Sequence, residues 1–351
     1  MININTCNLA INKFYKKCMG VFLALLMLVS SLCYCLQQSA IDVNASTFIY
    51  SGARLIDCFP GKDRLFAKFI LKSILNKSPD AFGEIDNYIL QIQDVKTIKN
   101  TTKISDFHQE LKFADLTGIG NFSNLEVLSI PNDKITNLPD ELPDTITWLD
   151  LYNNSLKELP RHLPTSLNML NVCNNKLKSL PILPENLTCL DCSNNQLTNI
   201  PSPLALTLVE LNCSNNKLNE FPDISATSIN CLDCSHNKLE IVKCLPVSLE
   251  RLNCSYNLVK ALYLNYSERL SYVDCSHNNL TSLPEDLISY HINYLDCSNN
   301  KLTSLPKLSK SVRSLYINQN NLTDLPQLPK YLAYLDCSSN NIEKLPETLP
   351  R

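Results

Sequence analysis

Cysteine is the residue type in this chain whose number and spacing raise the question of chemistry. The 351 residues include 16 cysteines, and many of them recur in one six-residue phrase, "LDCSNN", at Leu190–Asn195 and again at Leu295–Asn300. Near copies of the phrase begin at Leu211, Leu232 and Leu252. A recurrent thiol can hold a metal ion, close a disulfide or act as a nucleophile. The spacing of the phrase decides between those chemistries and simple packing.

The phrase belongs to an internal repeat with a period of 20 to 22 residues. If Leu187 is position 1, leucine-like residues fall at positions 1, 4, 6, 11 and 14, with asparagine at 9 and proline at 15. Position 9 departs from asparagine only at Asp133, and position 15 departs from proline only at Lys243 and Tyr263. This pattern is the leucine-rich-repeat consensus LxxLxLxxNxL. The eleven units begin at Leu125, Ile146, Leu167, Leu187, Leu208, Ile229, Leu249, Leu270, Ile292, Val312 and Leu332.

The repeat predicts both the fold class and the direction of each side chain. Positions 3 to 7 are expected to form a short strand, in which 4 and 6 point inward and 3, 5 and 7 point outward. So short a period leaves no room for a long convex helix, and the Leu-Pro pairs favour extended backbone. Because one unit cannot bury its own apolar face, the units must stack. We therefore expect an α/β solenoid: a curved horseshoe with a parallel concave sheet, an extended convex side and a small helical N-terminal cap.

The recurrent cysteine occupies position 6, which points into the predicted core. Apolar residues such as Leu151 and Val172 take the same position in other units, so the thiol is interpreted as a small hydrophobic side chain. Thiols without obvious partners also favour a reducing compartment. The position-6 cysteines are Cys192, Cys213, Cys234, Cys254, Cys275, Cys297 and Cys337.

Two CxxC pairs, Cys189–Cys192 and Cys231–Cys234, are the sharpest candidates for a metal or redox site. Each pair spans positions 3 and 6 of a strand, which point to opposite faces, so the two sulfurs cannot share a metal or close a disulfide. We therefore expect no metal and no cofactor.

Catalysis has weak support in the sequence. His236 and His277 take position 8, where asparagine also occurs, and are interpreted as variants of a turn. The sequence contains no phosphate-binding glycine loop. The net charge of -3 gives no reason to expect nucleic-acid binding. The chain is therefore predicted to be no enzyme and to bind no nucleic acid.

The N-terminal third has a different organisation. Met19–Leu36 is an 18-residue apolar run preceded by lysines, so residues 1–40 are predicted to be a signal peptide or a membrane anchor, with a buried soluble helix as the plainer alternative. Residues 41–60 resemble a linker, 61–124 carry amphipathic helical patterns that suit a cap, and 125–351 hold the eleven repeats. The protein is accordingly expected to be secreted or anchored, with membrane association through Met19–Leu36.

The outward strand positions predict a binding surface. Tyrosine and tryptophan beside a row of carboxylates are typical of surfaces that bind protein partners. The plainer interpretation is that these side chains only keep a strand face soluble. The expected partner-binding residues on the concave face are Trp148, Asp150, Asp191, Asp233, Arg251, Tyr272, Asp274, Tyr294, Asp296, Tyr334 and Asp336.

The phrase "LPxxLxxLxCxxNxLxxLP", clearest from Leu163 to Pro201, resembles the short repeats of IpaH/YopM-type bacterial effectors. The resemblance covers about 125–350 and implies delivery into host cells to engage host proteins. Those effectors usually lack an export signal such as Met19–Leu36. The ligase members of the family carry a C-terminal ubiquitin-transfer domain with a catalytic cysteine in a CxD motif. Here "CLD" at Cys189 and Cys231 lies inside repeats, so no ligase site carries over.

These observations predict a protein–protein interaction module that binds a protein partner on the concave face. An effector-like secreted factor acting on a host protein, with the host cytosol as its destination, is the finer expectation. Two alternatives remain open: the substrate-recognition half of a truncated bacterial E3 ubiquitin ligase, and a surface adhesin.

Overall fold

The computed structural model describes residues 101–105, 116, 119, 122–264 and 268–346. Met19–Leu36, the linker at 41–60 and the amphipathic patterns before residue 101 lie outside the described residues. Among the residues that are described, no helix is both long enough and apolar enough to cross a membrane.

The main structure is one parallel sheet of twelve short strands, each paired with the strand of the neighbouring repeat. The register is the same throughout, so that Leu190 lies opposite Leu211 and Leu211 opposite Leu232. This arrangement is a parallel-sheet solenoid, as the repeat predicts. The strands are β1 Lys103–Ser105, β2 Val127–Ser129, β3 Trp148–Asp150, β4 Met169–Asn171, β5 Cys189–Asp191, β6 Glu210–Asn212, β7 Cys231–Asp233, β9 Arg251–Asn253, β11 Tyr272–Asp274, β12 Tyr294–Asp296, β13 Ser314–Tyr316 and β14 Tyr334–Asp336.

Each repeat strand covers positions 3 to 5 only, so the expected strand of positions 3 to 7 was too long. The serines at position 7 are less accessible than an outward direction alone would suggest, because Ser193 is only 3% exposed, although Ser338 in the last repeat is exposed. The carboxylate of Asp191 accepts both the backbone N–H and the hydroxyl of Ser193, at 3.0 and 2.6 Å. This local turn follows the end of the strand and holds the serine hydroxyl against the position-5 carboxylate.

Position 8 has a left-handed backbone in all eleven repeats, with φ between 52° and 65°. Asparagine tolerates this conformation better than most residues, which explains why it dominates the position. His236 and His277 both have φ of 52°, so their interpretation as turn variants is confirmed.

Position 9 holds a buried asparagine that joins consecutive repeats. The Asn216 amide nitrogen donates to the carbonyls of Cys192 and Cys213, at 3.0 and 3.1 Å. Its side-chain oxygen accepts the backbone N–H of Leu197 at 2.9 Å. The same bonds recur at Asn195 and at Asn237. The asparagines thus satisfy buried backbone groups that the turns leave without strand partners.

The position-6 cysteines form a ladder in the core, as their spacing predicts. Cys192 and Cys213 are 0% exposed, and every cysteine of the described residues is a free thiol. The Cys213 thiol donates to the Asp233 carbonyl on the next strand at 3.4 Å. Burial raises the pKa of the Cys192 and Cys213 thiols well above the ordinary value. The ladder therefore packs as small, neutral hydrophobic side chains.

The other side of the solenoid is extended, with two exceptions within the described residues. A 3-10 helix spans Glu285–Ser289, and β8 (Ile241–Val242) pairs in parallel with β10 (Ala261–Leu262). That pair lies in the two repeats that lack proline at position 15. One of them has Tyr263 there, whose backbone N–H donates to the Val242 carbonyl at 2.9 Å. Proline has no N–H, so the nine other repeats cannot make this bond.

The described part of the region at 61–124 adds a strand that the sequence did not predict. β1 pairs with β2 and so extends the sheet by one strand before the first repeat. Leu116, Ile119 and Phe122 are fully buried next to that first repeat. The helical N-terminal cap stays a prediction, because the amphipathic patterns behind it lie outside the described residues.

Candidate functional site

The outward side chains at positions 3 and 5 of the strands form one surface, which we call the sheet face. Trp148, Tyr272 and Tyr294 are half-buried there, and Tyr334 is 66% exposed. Asp150 is 4% exposed, and its carboxylate accepts the Ser129 hydroxyl at 3.1 Å. The Asp150 carboxylate is therefore enclosed by the fold and is not offered on the sheet face.

The aspartates of position 5 have a structural role as well as a charge. Asp191 and Asp233 each use one oxygen for the serine turn. The second oxygen of Asp233 accepts the Asn253 amide at 3.1 Å. Asp191 accepts Asn212 in the same way at 3.3 Å. Where aspartate and asparagine alternate along the sheet, the carboxylates are thus already held by amides.

Asp274 and Asp296 break this alternation, because they occupy neighbouring strands with no asparagine between them. Each accepts the hydroxyl of its own turn serine through Oδ1, at 2.7 and 2.6 Å. No group of the described residues donates to either Oδ2 atom. Burial raises the pKa of Asp274 above its ordinary value, with the Asp296 charge adding to the shift. The two carboxylates thus leave two acceptor atoms for a ligand that brings positive charge.

A stack of side chains lies beside those carboxylates at position 3. The guanidinium of Arg251 lies 4.3 Å from the centroid of the Tyr272 ring. The Tyr272 and Tyr294 rings are stacked, with their centroids 4.5 Å apart and 7° between their planes. Burial and the Asp274 charge raise the pKa of Tyr272 to about 12, and burial raises that of Tyr294 as well. Both phenols are therefore neutral hydrogen-bond donors at physiological pH.

Tyr316 extends the stack, and the sequence prediction did not include it. Its ring centroid lies 5.5 Å from that of Tyr294, with 42° between the two planes. Tyr316 stands at position 5 of its repeat, where every other unit from 146 onward has aspartate or asparagine, and this departure was the available signal. We call the group Arg251, Tyr272, Asp274, Tyr294, Asp296 and Tyr316 the tyrosine–aspartate site.

The remaining predicted residues do not join this group. Asp150 lies six strands from Asp274 along the sheet, which is about 29 Å at the usual spacing of 4.8 Å per strand. Trp148 and Asp191 lie toward the same distant end, and Tyr334 and Asp336 stand on the last strand. The sheet face thus concentrates aromatic rings and available carboxylates in β9, β11, β12 and β13.

Outside this site, the described thiols are buried or half-buried, and two imidazoles stack on a tyrosine ring. Burial and the nearby Glu210 carboxylate together raise the pKa of Cys189 to about 12. The rings of His236, Tyr256 and His277 stack in that order, with successive centroids 4.3 and 4.0 Å apart. Both imidazoles thus pack against the tyrosine ring. No group of three metal-ligating side chains occurs within the described residues.

Comparisons with known proteins agree with this architecture. A family model for the Leucine Rich Repeat matches residues 186–206. No curated protein sequence matches the chain significantly. Among solved structures, YopM from Yersinia enterocolitica is 32% identical over 71% of this chain and 57% of its own, with a TM-score of 0.58. The functional domain of InlJ from Listeria monocytogenes, which includes a cysteine ladder, is 28% identical over 84% of this chain and 63% of its own, with a TM-score of 0.68.

A third similar structure is the LRIM1/APL1C complex, which is 26% identical over 65% of this chain and 47% of its own, with a TM-score of 0.59. The chain thus spans about three fifths of the length of the YopM and InlJ structures. The repeat consensus, the twelve-stranded parallel sheet and these likenesses agree with one another. The chain is a leucine-rich-repeat protein that resembles the YopM-type effectors.

Proposed function

We propose that this protein is a non-enzymatic binding module that engages a protein partner through the tyrosine–aspartate site. The observation that carries the proposal is the Tyr272–Tyr294 stack beside the two carboxylates of Asp274 and Asp296, whose Oδ2 atoms have no donor among the described residues. Tyrosine and arginine are frequent anchors at protein interfaces, and complementary charges orient the partner. The occurrence of a similar solenoid in the LRIM1/APL1C complex also supports a protein partner.

The chemistry of the site favours a partner that presents a lysine or arginine side chain. A cation between Asp274 and Asp296 would complete the vacant acceptors of both carboxylates. The faces of the Tyr272 ring are already covered by Arg251 and Tyr294, so the tyrosines offer a partner their ring edges and phenol hydroxyls. Arg251 lies at one end of the stack, and its charge repels a second cation. The basic side chain of the partner is therefore expected to lie away from Arg251.

The repeat itself provides substitutions that remove the site and keep the fold. Asparagine replaces aspartate at position 5 in other repeats, where Asn212 and Asn253 still accept their turn serines. Asp274→Asn combined with Asp296→Asn therefore removes two charges without removing the turns. The matched control is Asp223→Asn combined with Asp324→Asn, since both of those aspartates are exposed away from the sheet face.

Partner capture tests the proposal directly. The full chain is used as bait, and recovered proteins are quantified by mass spectrometry for the wild type and both double variants. A partner that is lost with the Asp274/Asp296 variant and retained with the control supports the proposal. Equal recovery with all three baits contradicts it. Tyr272→Ser with Tyr294→Ser gives a second, charge-independent variant, because serine occurs at position 3 as Ser314.

An effector-like role with a reducing destination is the finer part of the proposal. It is supported by the likeness to YopM and by the free thiols of the core ladder. The test is the intact mass of the native protein after alkylation under denaturing conditions without reductant. A chain that begins after Met19–Leu36 with every thiol alkylated supports export to a reducing space. Disulfide-linked ladder thiols contradict it, and a full-length chain indicates a retained membrane anchor instead.

A further inference from the structure

A groove on a second surface has lysine and tyrosine side chains at its rim. It has a volume of about 680 Å³ and lies where the chain returns from the extended side to strands β13 and β14. A cavity of this size falls within the range of roughly 300–1,000 Å³ that is usual for ligand pockets. Its lining includes Lys307, Lys310, Lys330, Tyr331, Leu308 and Leu328.

The groove is apolar at its base and cationic at its rim. Leu308 and Leu328 are only 7% and 4% exposed and form its base. Lys307, Lys310 and Lys330 are all exposed at the rim. The base therefore suits an apolar side chain, and the rim suits negative charge on either side of it.

Two cations at the groove, Lys330 and Arg313, lie against an aromatic ring. The Lys330 ammonium lies 5.3 Å from the centroid of the Tyr331 ring, and the Arg313 guanidinium lies 5.5 Å from the same centroid. Tyr331 itself is 58% exposed. Within residues 122–264 and 268–346, none of the rim lysines has a carboxylate at salt-bridge distance. Their charges are thus available to a ligand.

The repeat does not require lysine at these places. Lys310 and Lys330 occupy position 19 of consecutive repeats, so stacking places them next to each other. Neighbouring like charges repel each other. Position 16, which Lys307 occupies, is aspartate at Asp223 and glutamate at Glu285 in other repeats. Stacking of the repeats therefore does not explain the cluster, whereas an anionic ligand does.

We propose that this groove binds an acidic segment of a protein partner, with an apolar side chain on Leu308 and Leu328 and carboxylates against Lys307, Lys310 and Lys330. Charge complementarity selects the occupant, since the groove gathers cations in a protein whose net charge is -3. A nucleic acid would need cations that follow the phosphates over a longer path than two repeats. An anionic bilayer surface is the competing occupant, and the vesicle measurement described below distinguishes it from the peptide.

The test uses a defined probe, a fluorescein-labelled peptide in which a Leu-Pro pair is flanked by three glutamates on each side. Its binding to the full chain is measured by fluorescence anisotropy. Saturable binding is expected, and the double variant Lys310→Glu/Lys330→Glu is expected to weaken it at least tenfold. The matched control, Lys217→Glu/Lys238→Glu, makes the same change of charge at two exposed position-10 lysines and is expected to leave affinity within twofold of the wild type.

Two further measurements separate the groove from general charge attraction. Tyr331→Ser leaves the lysines in place and is expected to weaken the probe several-fold, because it removes the ring that positions Lys330 and Arg313. A probe with glutamine in place of every glutamate is expected to bind at least tenfold more weakly. Far-UV circular dichroism checks that each variant is folded.

Three results would overturn the proposal. The first is absence of saturable binding to the wild-type chain. The second is equal weakening by the groove variant and by the Lys217/Lys238 control, which would indicate non-specific attraction. The third is binding to phosphatidylserine vesicles without binding to the peptide, which would assign the cluster to a membrane. Failure here leaves the tyrosine–aspartate site untouched, since the two sites share no residue.

Discussion

The buried asparagine at position 9 gives the sharpest prediction about stability, because its neighbour at position 8 is a matched control. Asn216 is 9% exposed and makes four side-chain hydrogen bonds to the backbone. Asn215 is exposed, and none of the described residues bonds to its side chain. The perturbation is Asn216→Ala, compared with Asn215→Ala in the same turn.

The expected loss of stability depends on which backbone groups keep another hydrogen-bond partner after the Asn216 side chain is removed. The carbonyls of Cys192 and Cys213 keep a second donor, from Asn195 and Asn237 respectively. The backbone N–H of Leu197 donates to the Asn216 side-chain oxygen and would be left buried without that acceptor. One orphaned buried N–H costs about 1–3 kcal/mol, and the lost shared bonds add about 1 kcal/mol. Asn216→Ala is therefore expected to lower the free energy of unfolding by roughly 2–4 kcal/mol.

Asn215→Ala tests a different and smaller effect. Its backbone has φ of 54°, which costs a residue with a Cβ atom about 1–2 kcal/mol, and asparagine already carries part of that cost. A loss of at most about 1 kcal/mol is expected. Asn215→Gly is expected to match or exceed the wild type, because glycine adopts positive φ freely.

Urea denaturation followed by circular dichroism measures the overall loss. Because a solenoid can unfold in parts, hydrogen exchange resolved to single residues supplies the local measurement. The Leu197 amide is expected to lose protection in Asn216→Ala and to keep it in Asn215→Ala. Equal destabilisation by the two alanine variants, or an unchanged Leu197 amide, would refute the assignment of position 9 as the bond that joins the repeats.

Three further predictions concern charge and burial. Cys234→Asp places an unpaired carboxylate in the core and is expected to cost several kcal/mol in urea denaturation, whereas Cys234→Val is expected to cost less than about 1.5 kcal/mol; a stable aspartate variant would contradict the core ladder. The raised pKa of Asp274 means that the native state binds more protons than the unfolded chain just above the ordinary pKa of 3.8, so this group's contribution to stability falls as pH rises through that window. Asp274→Asn is therefore expected to stabilise the protein at pH 7 and to have little effect below pH 3.8. Asp336→Asn is expected to destabilise it at pH 7, because Ser338 lowers the pKa of the carboxylate that this change removes. Thermal melts at several pH values distinguish the two variants. With iodoacetamide at pH 8 the half-buried Cys337 is expected to react well before the buried Cys213, as peptide mapping would show, and uniform labelling of the native protein would contradict the raised thiol pKa.

Sequence periodicity was sufficient for the parts of the fold that every repeat shares. The inward direction of Cys192, the parallel pairing of the strands and the turn role of His236 all follow from the position in the repeat. The burial of Ser193 did not follow, because the strand ends at position 5 and not at position 7. Beyond that point the Asp191 carboxylate accepts the N–H and the hydroxyl of Ser193 in a local turn.

The rest of the site depends on neighbours that are one repeat apart rather than adjacent in sequence. Within the described residues, the second carboxylate oxygen of a position-5 aspartate accepts a hydrogen bond only where the next strand has asparagine at position 5. Asp233 and Asp274 therefore differ although their own repeats match. The buried state of Asp150 likewise depends on Ser129 of the preceding repeat. The strand β1 lies outside the consensus altogether, so no repeat pattern could have indicated it.

The missing prolines at Lys243 and Tyr263 bear on the shape of the solenoid. A stack of repeats bends when its outer side is spaced more widely than its sheet, and the bend grows with that difference. The β8–β10 pair fixes the outer side of these two repeats at hydrogen-bonding distance, the same spacing that the main sheet has. The spacing between these two repeats is then nearly equal on the two sides of the solenoid, so we expect the solenoid to be straight and rigid there. The tyrosine–aspartate site begins at Arg251, within this straight section. A partner bound there would contact a rigid part of the sheet at one end of its interface.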